Sequence, residues 1–169
     1  MTQVYLKRKI AQRIANGHPW IFANEVEKIK GNPQPGETVD VFYADGKYCG
    51  RGYINTQSQI MVRLLTRKQE TIDNNFFYQR IAKAWAYRQS IGYTENCRLI
   101  FGEADDMPAL IIDKFNDYFV LQTLSYGMDA WKPAIVAALH QLFQPKGIYE
   151  RNDVPVRELE GLQQQKGFL

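Results

Sequence analysis

The sequence is poor in the residues on which soft-nucleophile and metal chemistry depend, with two cysteines and two histidines in 169 residues. Cys49 and Cys97 stand far apart in unrelated local contexts, and neither belongs to a C-x-x-C pair. A zinc site is therefore not expected, and both read as small buried residues. His18 and His140 are isolated, and no Ser/His/Asp or Cys/His arrangement follows from spacing. No apolar run approaches the ~20 residues that a membrane span needs. The start, Met1-Thr2-Gln3-Val4-Tyr5-Leu6-Lys7-Arg8-Lys9, lacks the basic-then-apolar order of a signal peptide. A cytoplasmic location with no membrane partner is expected. Also missing are a glycine-rich strand–loop–helix for a nucleotide-like cofactor and a Pro-Cys nucleophile context. No catalytic, cofactor-binding or metal-binding residue is expected on this chain.

What is present is a globular composition, 45% hydrophobic, 13% aromatic and 23% charged, long enough for one ordinary domain or two small ones. The net charge of +3 is unevenly spread. Residues 1–70 carry eleven Lys/Arg against six Asp/Glu, and residues 71–169 carry ten against twelve. The front half thus holds the basic surplus, as a surface that meets a polyanion would. A solvated basic face would show the same counts.

Periodicity predicts two parts. Up to about Arg67 the signals are short strands and turns, with Ile10, Ala11, Ile14 and Ala15 at helical spacing before a stop at Asn16-Gly17. Thr38–Tyr43 alternates like a strand, Ala44-Asp45-Gly46-Lys47 makes a hairpin turn, and Tyr48–Ile54 and Ile60–Leu65 follow as strands. A small β-barrel fits this spacing. The polar stretch Thr66–Thr71 marks a boundary. Beyond it, Asp73 can cap a helix from about Asn74 to Ser90, with Phe77, Ile81, Ala84, Trp85 and Arg88 on one face and Gly92 at its end. Strands at Cys97–Phe101, Ala109–Asp113 and Tyr118–Thr123, a helix from near Asp129 to Phe143, and a strand at Gly147–Glu150 complete a compact α+β domain. The fold class expected is α+β, a small barrel followed by helices on a mostly antiparallel sheet. The proposed division is 1–70, 71–158 and a connector at 159–169, which turns apolar at Gly167-Phe168-Leu169 like the start of another strand.

Three segments carry candidate chemistry. Lys7, Arg8, Lys9 and Arg13 precede Gly17-His18-Pro19-Trp20-Ile21-Phe22. Cations beside aromatic rings suit RNA, where the cations hold phosphates and the rings stack bases. The same Trp20 and Phe22 also suit a core. Gly50-Arg51-Gly52-Tyr53-Ile54-Asn55 begins like a dinucleotide fingerprint, but it lacks the third glycine and the following helix. Its glycines instead permit close approach of a backbone or a ligand in a barrel strand. Gly102-Glu103-Ala104-Asp105-Asp106-Met107-Pro108 places carboxylates on a loop, where side-chain capping is the ordinary use.

Together these segments resemble one family. Residues Gly17–Phe22, Gly50–Asn55 and Ile60-Met61-Val62-Arg63-Leu64-Leu65 look like its N-terminal PUA domain. The run from Arg98 to Asp113 looks like the motif of its central α+β domain, and Tyr149-Glu150-Arg151-Asn152-Asp153-Val154-Pro155-Val156-Arg157 also fits. The family is the class I S-adenosylmethionine-dependent methyltransferases that modify cytosine C5 of large-subunit ribosomal RNA. In it a third, Rossmann-like domain holds the cofactor and the nucleophilic cysteine, which neither Cys49 nor Cys97 matches. The resemblance places the end of this sequence where that domain would begin. Met107 and Ala109 depart from the pattern, where Leu and Gly are more usual.

The resemblance implies the RNA-binding, substrate-orienting front portion of such an enzyme, with structured RNA, ribosomal in origin, as partner and S-adenosylmethionine used by the intact enzyme. Lys7, Arg8, Lys9, Arg13, Arg51 and Arg63 are expected on phosphates, and His18, Trp20 and Tyr53 on bases or sugars. Glu103, Asp105 and Asp113 would order the edge of a target-base pocket. A stand-alone RNA-binding or ribosome-assembly factor, a metal-using carboxylate enzyme and a protein-interaction module are the rival readings. A homodimer is left open.

Overall fold

Strand β1 (Thr2–Leu6) buries Thr2, Val4 and Leu6 and leaves Gln3 and Tyr5 half-buried, the period-2 alternation of a sheet with one covered face. The computed structural model describes residues 1–9 and 12–169, and the chain divides into two compact units, Met1–Glu70 and Thr71–Leu169. Ile10 and Ala11, expected on the first helix, lie outside the described residues. The helix α1 itself covers Gln12–Ala15, with Ile14 buried.

The first unit adds β2 (Trp20–Ile21), β3 (Val26–Lys30), β4 (Thr38–Phe42), β5 (Tyr48–Ile54) and β6 (Val62–Thr66). They form one sheet in the order β2-β6-β5-β4-β1-β3, antiparallel except for the parallel pair β1–β4. Strands about 4.8 Å apart would put the two edges of a flat six-stranded sheet roughly 24 Å apart. Those edges, β2 and β3, are joined only by Phe22 and the 3-10 turn Ala23–Glu25. Even fully extended, the path from Ile21 to Val26 spans at most about 18 Å. The sheet must therefore roll up, and its inner face closes on Val4, Leu6, Ile14, Ile21, Val39, Val41 and Ile54.

The Gly50-Arg51-Gly52 segment shows why β5 needs glycine. A Cβ on Gly52 would lie 2.0 Å from the carbonyl oxygen of Arg63, and one on Gly50 would lie 2.6 Å from that of Thr66. The glycines admit the backbone of β6, whose register with β5 shifts between Arg51 and Gly52.

In the second unit, Asp73 caps α2 (Asn74–Ser90) by accepting from the Phe76 N–H at 2.9 Å. The strands β7 (Asn96–Phe101), β8 (Leu110–Phe115), β9 (Tyr118–Thr123), β10 (Gly147–Asn152) and β11 (Gln165–Phe168) pair in the order β11-β10-β9-β8-β7. Only β9–β10 is parallel. The helix expected from Asp129 to Phe143 is two helices, α3 (Tyr126–Ala130), capped by Ser125, and α4 (Lys132–Phe143). Pro133 has no N–H to return to Asp129 and its ring crowds that carbonyl, so the chain breaks at Trp131. Rings stitch the layers: Phe77 on Trp131 at 5.0 Å, and Phe143 against both Trp85 and Phe119.

The stretch 159–169, expected as a connector, is folded into this unit. Gly161 turns the chain at φ 79°, and β11 pairs antiparallel with β10, Tyr149 opposite Phe168. Arg157 fixes the return. Its guanidinium, 1% exposed, donates to the Thr123 carbonyl, Asp129 and the Gln163 carbonyl.

Candidate nucleic-acid interface

Lys7, Arg8 and Lys9 follow β1 directly and are exposed. The Lys7 N–H donates to the Glu25 carbonyl at 2.9 Å, which ties this basic run to the turn after β2. Glu25 is buried there. Its Oε2 accepts from the Phe22 N–H at 2.8 Å and from Arg13. On the same segment the rings of His18 and Trp20 meet edge-on at 5.2 Å, and those of Trp20 and Phe22 at 6.4 Å. His18 Nδ1 accepts from the Trp20 N–H at 3.2 Å. Both His18 and Trp20 are half-buried, so each ring keeps part of its surface in solvent. The fold thus brings an open cationic run and a partly open aromatic run to one turn. Such a combination can hold phosphates and stack bases.

Four of the expected contact residues are partnered or buried inside the unit. Arg13 donates to the Trp20 carbonyl and Glu25 and lies 4.8 Å over the Phe22 ring, so it braces the turn. Arg51 forms a two-pronged pair with Asp40, and its remaining arm donates to the Glu70 carbonyl at 2.6 Å. All three of its nitrogens thus donate within the unit. Arg63 is buried at 7% exposure, with Nη1 directed to the Ile60 carbonyl. Tyr53 is 1% exposed, so its ring fills the core and offers no face to a base.

Two residues outside the expected set hold this site together or enlarge it. Arg67 donates to the carbonyls of Ile14 and His18, both at 3.0 Å, and to the Cys49 carbonyl and Sγ. It anchors the His18 segment onto β5 from 49 positions away. Nothing local in the sequence signals that reach. Tyr5 is the second, flanked by Lys28 and Lys30 on β3.

Burial pushes the thiols of Cys49 and Cys97 above the ordinary cysteine range, so both are poor thiolates near neutral pH. Burial, reinforced by the negative charge of Asp40, raises the Tyr48 phenol to about 12.

In the second unit the carboxylates of the loop after β7 are held by arginines. Asp105 takes both prongs of Arg88, at 2.9 and 2.6 Å, and also accepts from the Phe101 N–H. Asp113 takes both prongs of Arg98, at 2.8 and 3.1 Å, and Asp106 pairs with Arg80. Glu103 is exposed. Asp106 and Ala109 both adopt left-handed backbone, at φ 57° and 65°, with Met107 fully buried between them. Among the described residues no three His, Cys, Asp or Glu side chains converge as a metal site. The paired glycines of β5 face a neighbouring strand's backbone, and Asp105 and Asp106 of the acidic loop and Asp113 of β8 are engaged by arginine. No helix among the described residues is long and apolar enough to cross a membrane.

The rolled sheet and its basic, aromatic turn define the class of the first unit, and residues 4–67 match the family model described as a PUA-like domain. The whole is an α+β protein with a PUA-like N-terminal domain. Over almost its full length the chain is also similar to proteins named Ribosomal RNA large subunit methyltransferase I. It is 39% identical to that of Vibrio vulnificus over 170 residues, 98% of this chain and 43% of the relative. To that of Shewanella amazonensis it is 41% identical, over 99% of this chain and 43% of the relative. The chain thus spans less than half the length of these curated relatives. Among solved structures, a Streptococcus mutans protein provisionally assigned as a SAM-dependent methyltransferase superposes with a TM-score of 0.75. It is 15% identical, over 89% of this chain and 40% of that one, a likeness of fold alone.

Proposed function

We propose that this chain is the RNA-recognition portion of a ribosomal RNA methyltransferase and acts in the cytoplasm. The observation that carries the reading is the hydrogen bond from Lys7 to Glu25, which sets the exposed run Lys7-Arg8-Lys9 beside the His18–Trp20–Phe22 segment of a PUA-like domain. Lys7, Arg8 and Lys9 hold backbone phosphates, while His18 and Trp20 present ring edges to bases or sugars. The partner is structured RNA of the large ribosomal subunit, in keeping with the names of the relatives.

The finer assignment, to enzymes acting on cytosine C5 with S-adenosylmethionine, rests on the resemblance of Arg98–Asp113 and Tyr149–Arg157 to that family. In that family a Rossmann-like domain holds the cofactor and the nucleophilic cysteine, which neither Cys49 nor Cys97 matches. Glu103, Asp105 and Asp113 then serve the edge of the target-base pocket, the two aspartates by fixing the loop through Arg88 and Arg98. Binding of a labelled large-subunit RNA fragment, followed by fluorescence anisotropy, tests the RNA reading. Salt-sensitive binding that survives excess competitor RNA of unrelated sequence supports a specific rRNA contact. Absence of binding at low salt would remove the function.

A further inference from the structure

A second cationic feature lies on the outer face of the rolled sheet, away from every residue the sequence singled out except Arg8. Register sets it up. Tyr5 on β1 stands opposite Lys28 on β3 and beside Phe42 on β4, and Phe42 stands opposite Tyr48 on β5. Tyr5 stacks on Phe42 at 5.4 Å with planes only 23° apart, and Phe42 meets Tyr48 edge-on at 5.7 Å. The Tyr5 ring is thereby fixed. The ammonium groups of Lys28 and Lys30 both lie 4.9 Å from its centre, and Lys30 also donates to its hydroxyl. Both lysines are exposed, and among the described residues neither is paired with a carboxylate. Beside them opens a cleft of about 470 Å³ lined by Tyr5, Leu6, Arg8, Glu27, Lys28 and Gly46. Arg8 joins Lys28 as a cation on its wall, and Glu27 is the one carboxylate among its described lining residues.

Two ammonium groups gathered on one ring repel each other, so the arrangement favours an anion that bridges them. The ring's quadrupole attracts each cation and restricts the loss of side-chain freedom that a flexible lysine otherwise suffers on binding. We propose that Lys28 and Lys30, positioned by Tyr5, form a phosphate clamp for the backbone of the bound RNA, with Arg8 joining it to the Lys7–Lys9 run. This inference rests on the RNA-binding reading and extends its footprint onto β1 and β3. Tyr5 is a positioning residue here, because it acts on the RNA through the two lysines.

The test is the salt dependence of binding to a fluorescein-labelled RNA stem–loop, measured on the whole chain. Each phosphate contact contributes about 0.7 to 0.9 to the slope of log affinity against log salt. Lys28→Gln with Lys30→Gln should lower that slope by about 1.5. Tyr5→Leu should leave the slope near the wild-type value, since both charges remain, and weaken binding several-fold at every salt concentration. Circular dichroism melts identify any variant that has lost the sheet, and the single Lys28→Gln, which leaves the Tyr5–Phe42 stack untouched, then carries the slope test. If the double variant keeps the wild-type slope while Lys7, Arg8 and Lys9 substitutions reduce it, the clamp is refuted and the RNA-binding reading stands. If the wild-type chain itself fails to bind, both fall together.

Discussion

Arg51 closes a two-pronged ion pair on Asp40, with Nε 2.8 Å and Nη2 3.1 Å from its carboxylate oxygens. Its third contact, to the Glu70 carbonyl, means that each of its three nitrogens already donates inside the protein. Arg51→Gln should therefore cost stability, about 1 kcal/mol for a partly shielded pair, and leave the salt slope of RNA binding unchanged. Arg8→Gln should do the reverse. Thermal melts and anisotropy titrations on the two variants separate the bracing role from the binding role.

Gly52 is a second sharp constraint. Its position admits no Cβ, because the Arg63 carbonyl oxygen would be 2.0 Å away. Gly52→Ala should force β5 and β6 apart and destabilise the first unit by about 1–3 kcal/mol, the usual cost of overpacking. A melting temperature equal to the wild type would show that the strands part without penalty.

Ala109 holds a left-handed conformation, φ 65°, that favours glycine. The strain on an L-residue there is about 1–2 kcal/mol, partly offset by the greater freedom of glycine in the unfolded chain. Ala109→Gly should raise stability by roughly 0.5–1 kcal/mol. A lower melting temperature would show that the methyl group contributes packing that outweighs the strain.

Asp129 is expected to contribute to the acid limb of the second unit. Burial works to raise its pKa, but hydrogen bonds from Thr123 and Arg157 and the charges of Lys132 and Arg157 outweigh it and hold the carboxyl below the ordinary aspartate value. A carboxylate held lower in the folded state than in the unfolded one adds stability above its ordinary value. That stability is lost as pH falls through the folded value. Asp129→Asn should flatten the decline in melting temperature below about pH 4, the ordinary titration range of aspartate. Parallel acid slopes for variant and wild type would assign the acid sensitivity to other carboxylates.

Local features were the legible ones. Asp73 capping α2, the Asp45-Gly46 hairpin and the bounds of β5 each depend on residues a few positions apart, and the structure shows all three as expected. Non-local relationships were not legible. The parallel pairing of β1 with β4 joins residues nearly forty positions apart, and it places Tyr5 beside Phe42. Arg13, Arg51 and Arg63 read as free cations because a basic side chain looks the same in sequence whether its partner is a phosphate or an acceptor elsewhere in the fold. Tyr53 is 1% exposed, and nothing in its local sequence separates a ring that packs from one that stacks on a base. The break at Trp131 was foreshadowed by Pro133, which at N2 of α4 removes an N–H that a continuous helix would need.

The most direct test of the central claim is the salt dependence of RNA binding by the wild-type chain and by a variant with Lys7, Arg8 and Lys9 all changed to Gln. Three lost phosphate contacts should reduce the log–log slope by about 2 to 3, with the fold intact by circular dichroism. An unchanged slope would contradict the account and move the RNA surface elsewhere on the molecule.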